Sequence, residues 1–239
     1  MRLLLVIPCH REARRIVRSL DKLSAACTAH PGVDVRVVLA TNGTPDDMSS
    51  ALVGHAGGWS FGRVEIYHAS LVADKGLAIH RSWTSRAGDR EVLAYCDADM
   101  AVDPEAIFRG LALIESGTAD LVAGSRWHPD SVVEGRSAGR TCLSACLSFF
   151  WRMLPGTSLV DPGCGLKLVR RVDFERLGLR PLAGGFAFGA EVVAKLERSG
   201  ARLVQIPVRW TDDRARLLRL GKAAWHYLWA WWRVLLRLA

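Results

Sequence analysis

Val92-Leu93-Ala94-Tyr95-Cys96-Asp97-Ala98-Asp99-Met100 sets a continuous apolar run directly against two carboxylates separated by one residue. Val92–Cys96 reads as a buried strand, because a short apolar stretch bounded by turn signals has both faces covered. On its N-terminal side, Leu3–Ile7, Val35–Ala40 and Val64–Tyr67 have the same strand-like character. Between them lie helical patterns over Glu12–Cys27, Asp46–Val53 and Gly76–Ala87. On the other side, a helix over Pro104–Ser116 is followed by a strand at Leu121–Ala123, a helix over Thr141–Leu154 and a strand at Leu166–Val169. A helix over Phe188–Arg198 and a strand over Leu203–Trp210 complete the reading. Strands alternating with helices at this spacing predict an α/β domain with a mostly parallel sheet and helices on both faces. In such sheets ligands bind beyond the carboxyl ends of the strands.

The 239 residues suffice for one large α/β domain, and half of them are hydrophobic, so a packed core is available. A net charge of +8 favours an anionic partner: nucleic acid, a membrane surface or a phosphorylated substrate. The six cysteines form no C-x-x-C pair and read as reduced, buried thiols. No stretch reaches the ~18 uninterrupted apolar residues of a spanning helix. The expected location is therefore cytoplasmic, or peripheral on the cytosolic face of a membrane.

Several strand ends carry chemistry. Asp97 and Asp99 can project toward one hard cation whose remaining positions take phosphate oxygens; equally, they can form a solvated turn before the next helix, with Asp103 as its cap. Val6-Ile7-Pro8-Cys9-His10-Arg11-Glu12 breaks the first strand into a charged turn, where Glu12 either complements a helix dipole or contacts a nucleoside. Thr41-Asn42-Gly43-Thr44-Pro45-Asp46-Asp47 follows the second strand as an Asn-Gly turn. Asp74-Lys75-Gly76 places a cation just before a helix, a candidate diphosphate contact.

Taken in order, VIPCHRE, LATNGTPDD, DKGLAIHRSW, YCDADM, LVAGSRW, DPGCGLKLVRR, FAFGAEVVAKL and VQIPVRW resemble the family 2 glycosyltransferases, with likeness to the dolichyl-phosphate glucosyltransferase and mannose synthase branch. The resemblance runs from about residue 3 to residue 215 and implies a GT-A fold with a Rossmann-like nucleotide-binding half. It implies Mg²⁺ or Mn²⁺ on Asp97 and Asp99, with Pro8, Glu12 and Asp97 near the nucleotide. Asn42 and Lys75 join them as expected donor contacts. Arg126 and Arg140 match arginines that hold an acceptor phosphate, and Asp161 a carboxylate acting near the acceptor. Three positions depart from the pattern: Thr41-Asn42 replaces a paired Asp, Gly189 replaces an Asp ahead of Glu191, and a Gly-x-Ser-Lys segment gives way to Arg214–Arg219.

Residues 214–239 carry six basic residues, no acids and four of the nine tryptophans. Trp225, Leu228, Trp229, Trp232, Leu235 and Leu236 recur at helical spacing, while Arg219, His226, Arg233 and Arg237 favour the other side. That pattern predicts an amphipathic helix in an anionic membrane interface; the alternative is a helix packed on the catalytic domain or an identical subunit. The expected division is a glycosyltransferase domain over 1–213 and a membrane-interface tail over 214–239. The whole reading is an inverting transferase that moves a hexose from UDP- or GDP-sugar to a polyprenyl phosphate, as an oligomer or a monomer. A soluble or glycan acceptor, or a catalytically inactive membrane-binding relative, are the competing readings. Nucleic acid is not an expected partner, because the aromatics cluster with leucines and not along a basic groove.

Overall fold

The computed structural model describes residues 1–43, 48–55, 58–178, 184–211 and 220–236, with the side chains of 220–224 left aside. Its centre is a seven-stranded sheet built from β1 (Arg2–Cys9), β2 (Asp34–Asn42), β3 (Val64–Ser70), β4 (Val92–Tyr95), β5 (Leu121–Ser125), β7 (Lys167–Arg170) and β8 (Leu203–Pro207). The strands lie in the order β3-β2-β1-β4-β7-β5-β8. Neighbours pair in parallel except at β7, which runs antiparallel to both β4 and β5. A separate ribbon pairs β6 (Val132–Glu134) with β9 (Arg209–Thr211).

Coverage of both faces explains why β1 from Leu3 onward and all of β4 are apolar and buried. Leu3, Leu5 and Ile7, with Val92 and Ala94, pack on one face against Ile16, Leu20 and Leu23 of α1 (Ala13–Ala29) and Ile107 and Leu111 of α4 (Glu105–Glu115). Leu4, Val6, Leu93 and Tyr95 pack on the other face against Ala78, Ile79 and Trp83 of α3 (Lys75–Arg86) and Phe188, Val192 and Val193 of α7 (Phe188–Arg198). At 25 cal/mol per Å² or so, burial of this kind is the main favourable term holding the layers together.

Three expectations change. The strand expected over Leu203–Trp210 breaks after Pro207, and the Val208 N–H turns to donate to Ser131 Oγ at 2.9 Å. The helix expected over Asp46–Val53 is a single turn, α2 (Met48–Ala51), and its first two expected residues lie outside the described set. Cys142 and Cys146 are exposed on α5 (Ala138–Arg152), while the other four free cysteines are buried.

The last helix, α8 (Leu220–Leu235), lies against the domain. Tyr227, Ala230 and Val234 are buried in the same cluster as α3 and α7, and Arg233 reaches Glu191 of α7 at 3.7 Å. The outward side instead presents Trp225, Leu228, Trp229, Trp232 and Leu236, with the three tryptophans 64%, 55% and 51% exposed. The helix is thus inverted relative to an ordinary surface helix, with His226 and Arg233 facing inward and most large apolar residues outward. No described helix is long and apolar enough to cross a membrane. The expected 213/214 boundary, with Arg214, Arg216 and Arg219, falls outside the described residues, as does Arg237. Between β7 and α7 stand α6 (Arg171–Arg176) and a single 3₁₀ turn over Gly185–Ala187.

Candidate active site

The carboxyl ends of β1, β2, β4 and β5 converge on the sequence motifs. After β4 the chain makes a tight turn, in which the Met100 N–H donates to the Asp97 carbonyl at 3.0 Å. Ser19 of α1 pins the middle of that turn by donating to the Ala98 carbonyl at 2.7 Å. Among the described residues only Arg11 and Met100 hold positive φ without being glycine, at 58° and 46°. They follow adjacent strands β1 and β4, and such conformations concentrate where a site over-determines the backbone.

Asp97 is 41% exposed at its side chain and forms a short ion pair with Lys75. Lys75 opens α3, whose cap is Asp74: its Oδ1 accepts from the Leu77 N–H at 2.8 Å. Asp99 Oδ1 accepts from the Ala101 N–H at 3.3 Å. Asp97, beside the Lys75 ammonium, and Asp99, two residues on, thus put two carboxylates at one partly accessible strand end. Among the described residues no three His, Cys, Asp or Glu side chains gather into a metal cluster. A two-carboxylate donor set fits a hard divalent ion of the Mg²⁺ kind, which takes its other oxygens from substrate phosphates and water.

Across the edge, the Arg126 guanidinium follows β5 and grips Asp161 in a two-pronged pair, Nε to Oδ2 at 2.8 Å and Nη2 to Oδ1 at 2.7 Å, with the Arg126 N–H adding a third bond at 2.9 Å. Asp161 is 0% exposed. Burial pushes its carboxyl up, and the Arg126 charge and hydrogen bonds more than reverse this, holding it below the usual carboxylate range. Burial lowers the pKa of Arg126, and the charge and hydrogen bonds of Asp161 more than reverse this, holding it above the usual guanidinium range. Arg136 stacks over Trp127 and Trp210, and its Nη2 donates to the Arg140 carbonyl at 3.4 Å. Burial, then the neighbouring charges of Arg126 and Arg140, lower its pKa to about 10. Arg126, Arg136 and Arg140 thus bring three guanidiniums to this side of the site, a side-chain type whose planar fork matches phosphate oxygens.

The loop Asp161-Pro162-Gly163-Cys164-Gly165 joins the two halves. A Cβ at Gly165 would stand 2.3 Å from Asp97 Oδ2, and one at Gly163 would stand 3.0 Å from Arg126 Nη2. A side chain at Gly165 would displace the Asp97 carboxylate, and one at Gly163 would press on the Arg126 guanidinium. Lys167, 2% exposed, fixes the loop by donating to the Cys164 carbonyl at 2.8 Å; burial lowers its pKa. An open cavity of about 500 Å³ lies at the amino end of the sheet beside Met1, Arg90, Val92 and Arg170, and none of the candidate donor, acceptor or metal residues lines it.

The sequence model of glycosyl transferase family 2 matches residues 4–178. The chain belongs to glycosyl transferase family 2. The glycosyltransferase AglD of Haloferax volcanii is 27% identical over 237 residues, 97% of this chain and 37% of that protein. The present chain thus spans little more than a third of AglD. The undecaprenyl-phosphate mannosyltransferase of Micrococcus luteus is 27% identical over 221 residues, 89% of this chain and 84% of that protein. Among solved structures, glucosyl-3-phosphoglycerate synthase from Mycobacterium tuberculosis in complex with Mn²⁺, UDP and phosphoglyceric acid has a TM-score of 0.71 at 17% identity, over 98% of this chain and 78% of that one. The same synthase with Mg²⁺ and UDP has a TM-score of 0.68 at 17% identity, over 98% of this chain and 79% of that one. Both likenesses bear out the GT-A fold.

Within this family 2 glycosyltransferase, several expected site residues have other occupations. Asn42 spends its side-chain amide on the Cys9 and Ala40 carbonyls, at 3.0 and 3.5 Å, tying β2 to β1. Pro8 is buried in β1 opposite Ala40. Glu12 precedes α1 without capping it by its side chain and binds Arg15 Nε at 2.5 Å. Asp161, expected near the acceptor, is fully buried and paired with Arg126. Glu191, 0% exposed, is held by Lys195 at 3.0 Å and Arg233, so it tethers α8. The loss of an Asp at Gly189 has a steric reason, since a Cβ there would lie 1.9 Å from Tyr95 Oη. Arg136 was absent from the sequence expectations; its signal is an arginine four residues ahead of Arg140 with no acid between them.

Proposed function

We propose that this chain transfers a hexose from a nucleotide sugar to a polyprenyl phosphate, with inversion at the anomeric carbon and with a divalent cation held by Asp97 and Asp99. The observation that carries the reading is the 161–165 loop, whose glycines lie against Asp97 at one end and Arg126 at the other. One rigid element thereby spaces a carboxylate pair suited to a donor diphosphate from an arginine cluster suited to an acceptor phosphate. The names of the two relatives are consistent with that chemistry.

When bound, the cation supplies Lewis-acid neutralisation of the departing diphosphate. Lys75, beside Asp97, adds a positive charge to the same end. The acceptor, a phosphate monoester with a second pKa near ~6, is already largely ionised at neutral pH. It needs no strong general base, and Asp161, committed to Arg126, is not one. An acceptor oxygen attacks the anomeric carbon as the bond from that carbon to the diphosphate breaks, and the nucleoside diphosphate leaves. Arg126, Arg136 and Arg140 hold the acceptor phosphate in line against repulsion from the donor phosphates.

Arg140→Ala is expected to raise KM for a short-chain polyprenyl phosphate about 10- to 100-fold, the worth of a hydrogen bond to a charged group. KM for the nucleotide sugar should stay within twofold. Equal losses for donor and acceptor, or equal turnover with a soluble glycan acceptor, would overturn the acceptor assignment.

The outward tryptophans of α8 support a membrane surface as the place of reaction, since indoles favour the headgroup layer. Because α8 also fills the core, deletion would damage the fold; surface substitutions are the cleaner probe. Trp229→Ser combined with Trp232→Ser is expected to reduce flotation with anionic liposomes several-fold at unchanged melting temperature. Unaltered flotation would refute the membrane contact.

A further inference from the structure

Two adjacent residues on the inward side of α8 reach opposite halves of the site. His226 lies over the 3₁₀ turn Gly185–Ala187: the Phe186 N–H donates to His226 Nδ1 at 3.5 Å, and the two rings lie 5.9 Å apart. Gly185 has φ +73°, and a Cβ there would stand 2.3 Å from His226 Nδ1, so the imidazole rests directly on backbone. The same turn donates its Gly185 N–H to Asp74 Oδ1 at 2.6 Å, and Gly184 is packed so closely that its Cβ would lie 2.2 Å from Asp74 Oδ2. Asp74 caps α3, and the next residue is Lys75, the partner of Asp97. The contacts from His226 to the donor carboxylate therefore form a continuous series.

Tyr227 points elsewhere. It is 8% exposed, and its Oη donates to the Pro162 carbonyl at 3.4 Å inside the 161–165 loop. A Cβ at Gly163 would lie 3.8 Å from Tyr227 Oη and 3.0 Å from Arg126 Nη2. Ala230 and Val234, fully buried, and the Arg233–Glu191 pair hold the helix in this position.

We infer that His226 and Tyr227 are positioning residues for the transfer reaction. His226 acts through the 3₁₀ turn and Asp74 on Lys75 and Asp97, and Tyr227 acts through the Pro162 carbonyl on the loop that seats Arg126. The inference rests on the function proposed above and gives α8 a part in the site separate from any contact of its outer face. A helix anchored only as packing would, when perturbed, loosen both halves together. Two neighbouring side chains with separate targets should instead produce separable defects.

The test uses the full chain and three variants: His226→Ala, His226→Asn and Tyr227→Phe. The dissociation constants of UDP and GDP are titrated calorimetrically with Mn²⁺ present. KM for a short-chain polyprenyl phosphate and the melting temperature are measured alongside. His226→Ala is expected to weaken Mn²⁺-nucleotide binding about 10-fold, the usual scale for an outer-layer partner of a metal site, with acceptor KM within twofold. His226→Asn, which keeps an acceptor near the Nδ1 position, should restore most of that binding. Tyr227→Phe should raise acceptor KM about 3-fold with nucleotide binding unchanged. Variants that leave both constants unaltered, or that shift both together with a matching fall in melting temperature, would overturn the positioning roles. A wild-type chain that binds neither nucleotide would overturn the proposed function and this inference with it.

Discussion

Asp99→Ala is expected to lower hexosyl transfer at least about 10³-fold, because removing one of two carboxylates from a divalent site forfeits several kcal/mol of charge stabilisation at the leaving diphosphate. The fold should survive. Asp99 is half-buried at the edge of the sheet, and its Oδ1 accepts a long bond from the Ala101 N–H at 3.3 Å. Losing a hydrogen bond of this kind costs about 1 kcal/mol, a shift of ~2–4 °C in melting temperature for a chain of this size. The turn is held independently by the Ser19 hydroxyl on the Ala98 carbonyl and by the Met100 N–H on the Asp97 carbonyl. Transfer at wild-type rates by this variant in excess EDTA would remove the metal from the account.

Asp161→Asn should act the other way round, through stability first. It removes the acid that holds Arg126 in a bidentate pair and takes that counter-charge from a guanidinium with 9% side-chain exposure. Breaking a buried pair from one side costs about 3–5 kcal/mol, or roughly 10 °C in melting temperature. The pH dependence follows from the direction of the shift. Asp161 is held below its ordinary value of 3.8 in the folded chain. Its stabilisation is therefore complete above that value and is lost as pH falls through the lower folded-state value. The acid side of the stability profile should flatten in the variant. A melting temperature and acid limb equal to those of the wild-type chain would contradict a structural ion pair.

Much of the sheet is legible in the sequence because β1 from Leu3, β2 from Val37 to Ala40 and β4 are buried on both faces and read as apolar runs. The strand direction is not. Lys167–Arg170 is as short as β4, and nothing in its period says that it runs antiparallel to β4 and β5. The ribbon strand Val132–Glu134 is exposed at all three positions and has no alternation to detect. In α8 the helical period is plain, yet the choice of inward face depends on Glu191 and on the Gly185 turn, which lie far away in sequence. The chemistry divides similarly. Asp97, Asp99, Lys75 and Arg126 stand at strand or helix ends, where local pattern draws attention to them. That Asp161 is sealed beneath Arg126, 35 residues away, or that Gly189 makes room for Tyr95, is a fact of packing with no local signature.

The central claim is that Asp97 and Asp99 hold a divalent cation against the donor diphosphate. Its most direct measurement is the transfer of radiolabelled hexose from UDP- and GDP-sugars to a short-chain polyprenyl phosphate, with Mn²⁺ and with excess EDTA. The expected result is product from one donor with Mn²⁺ and none above background in EDTA, restored when the metal is returned. Equal product in EDTA would contradict the claim.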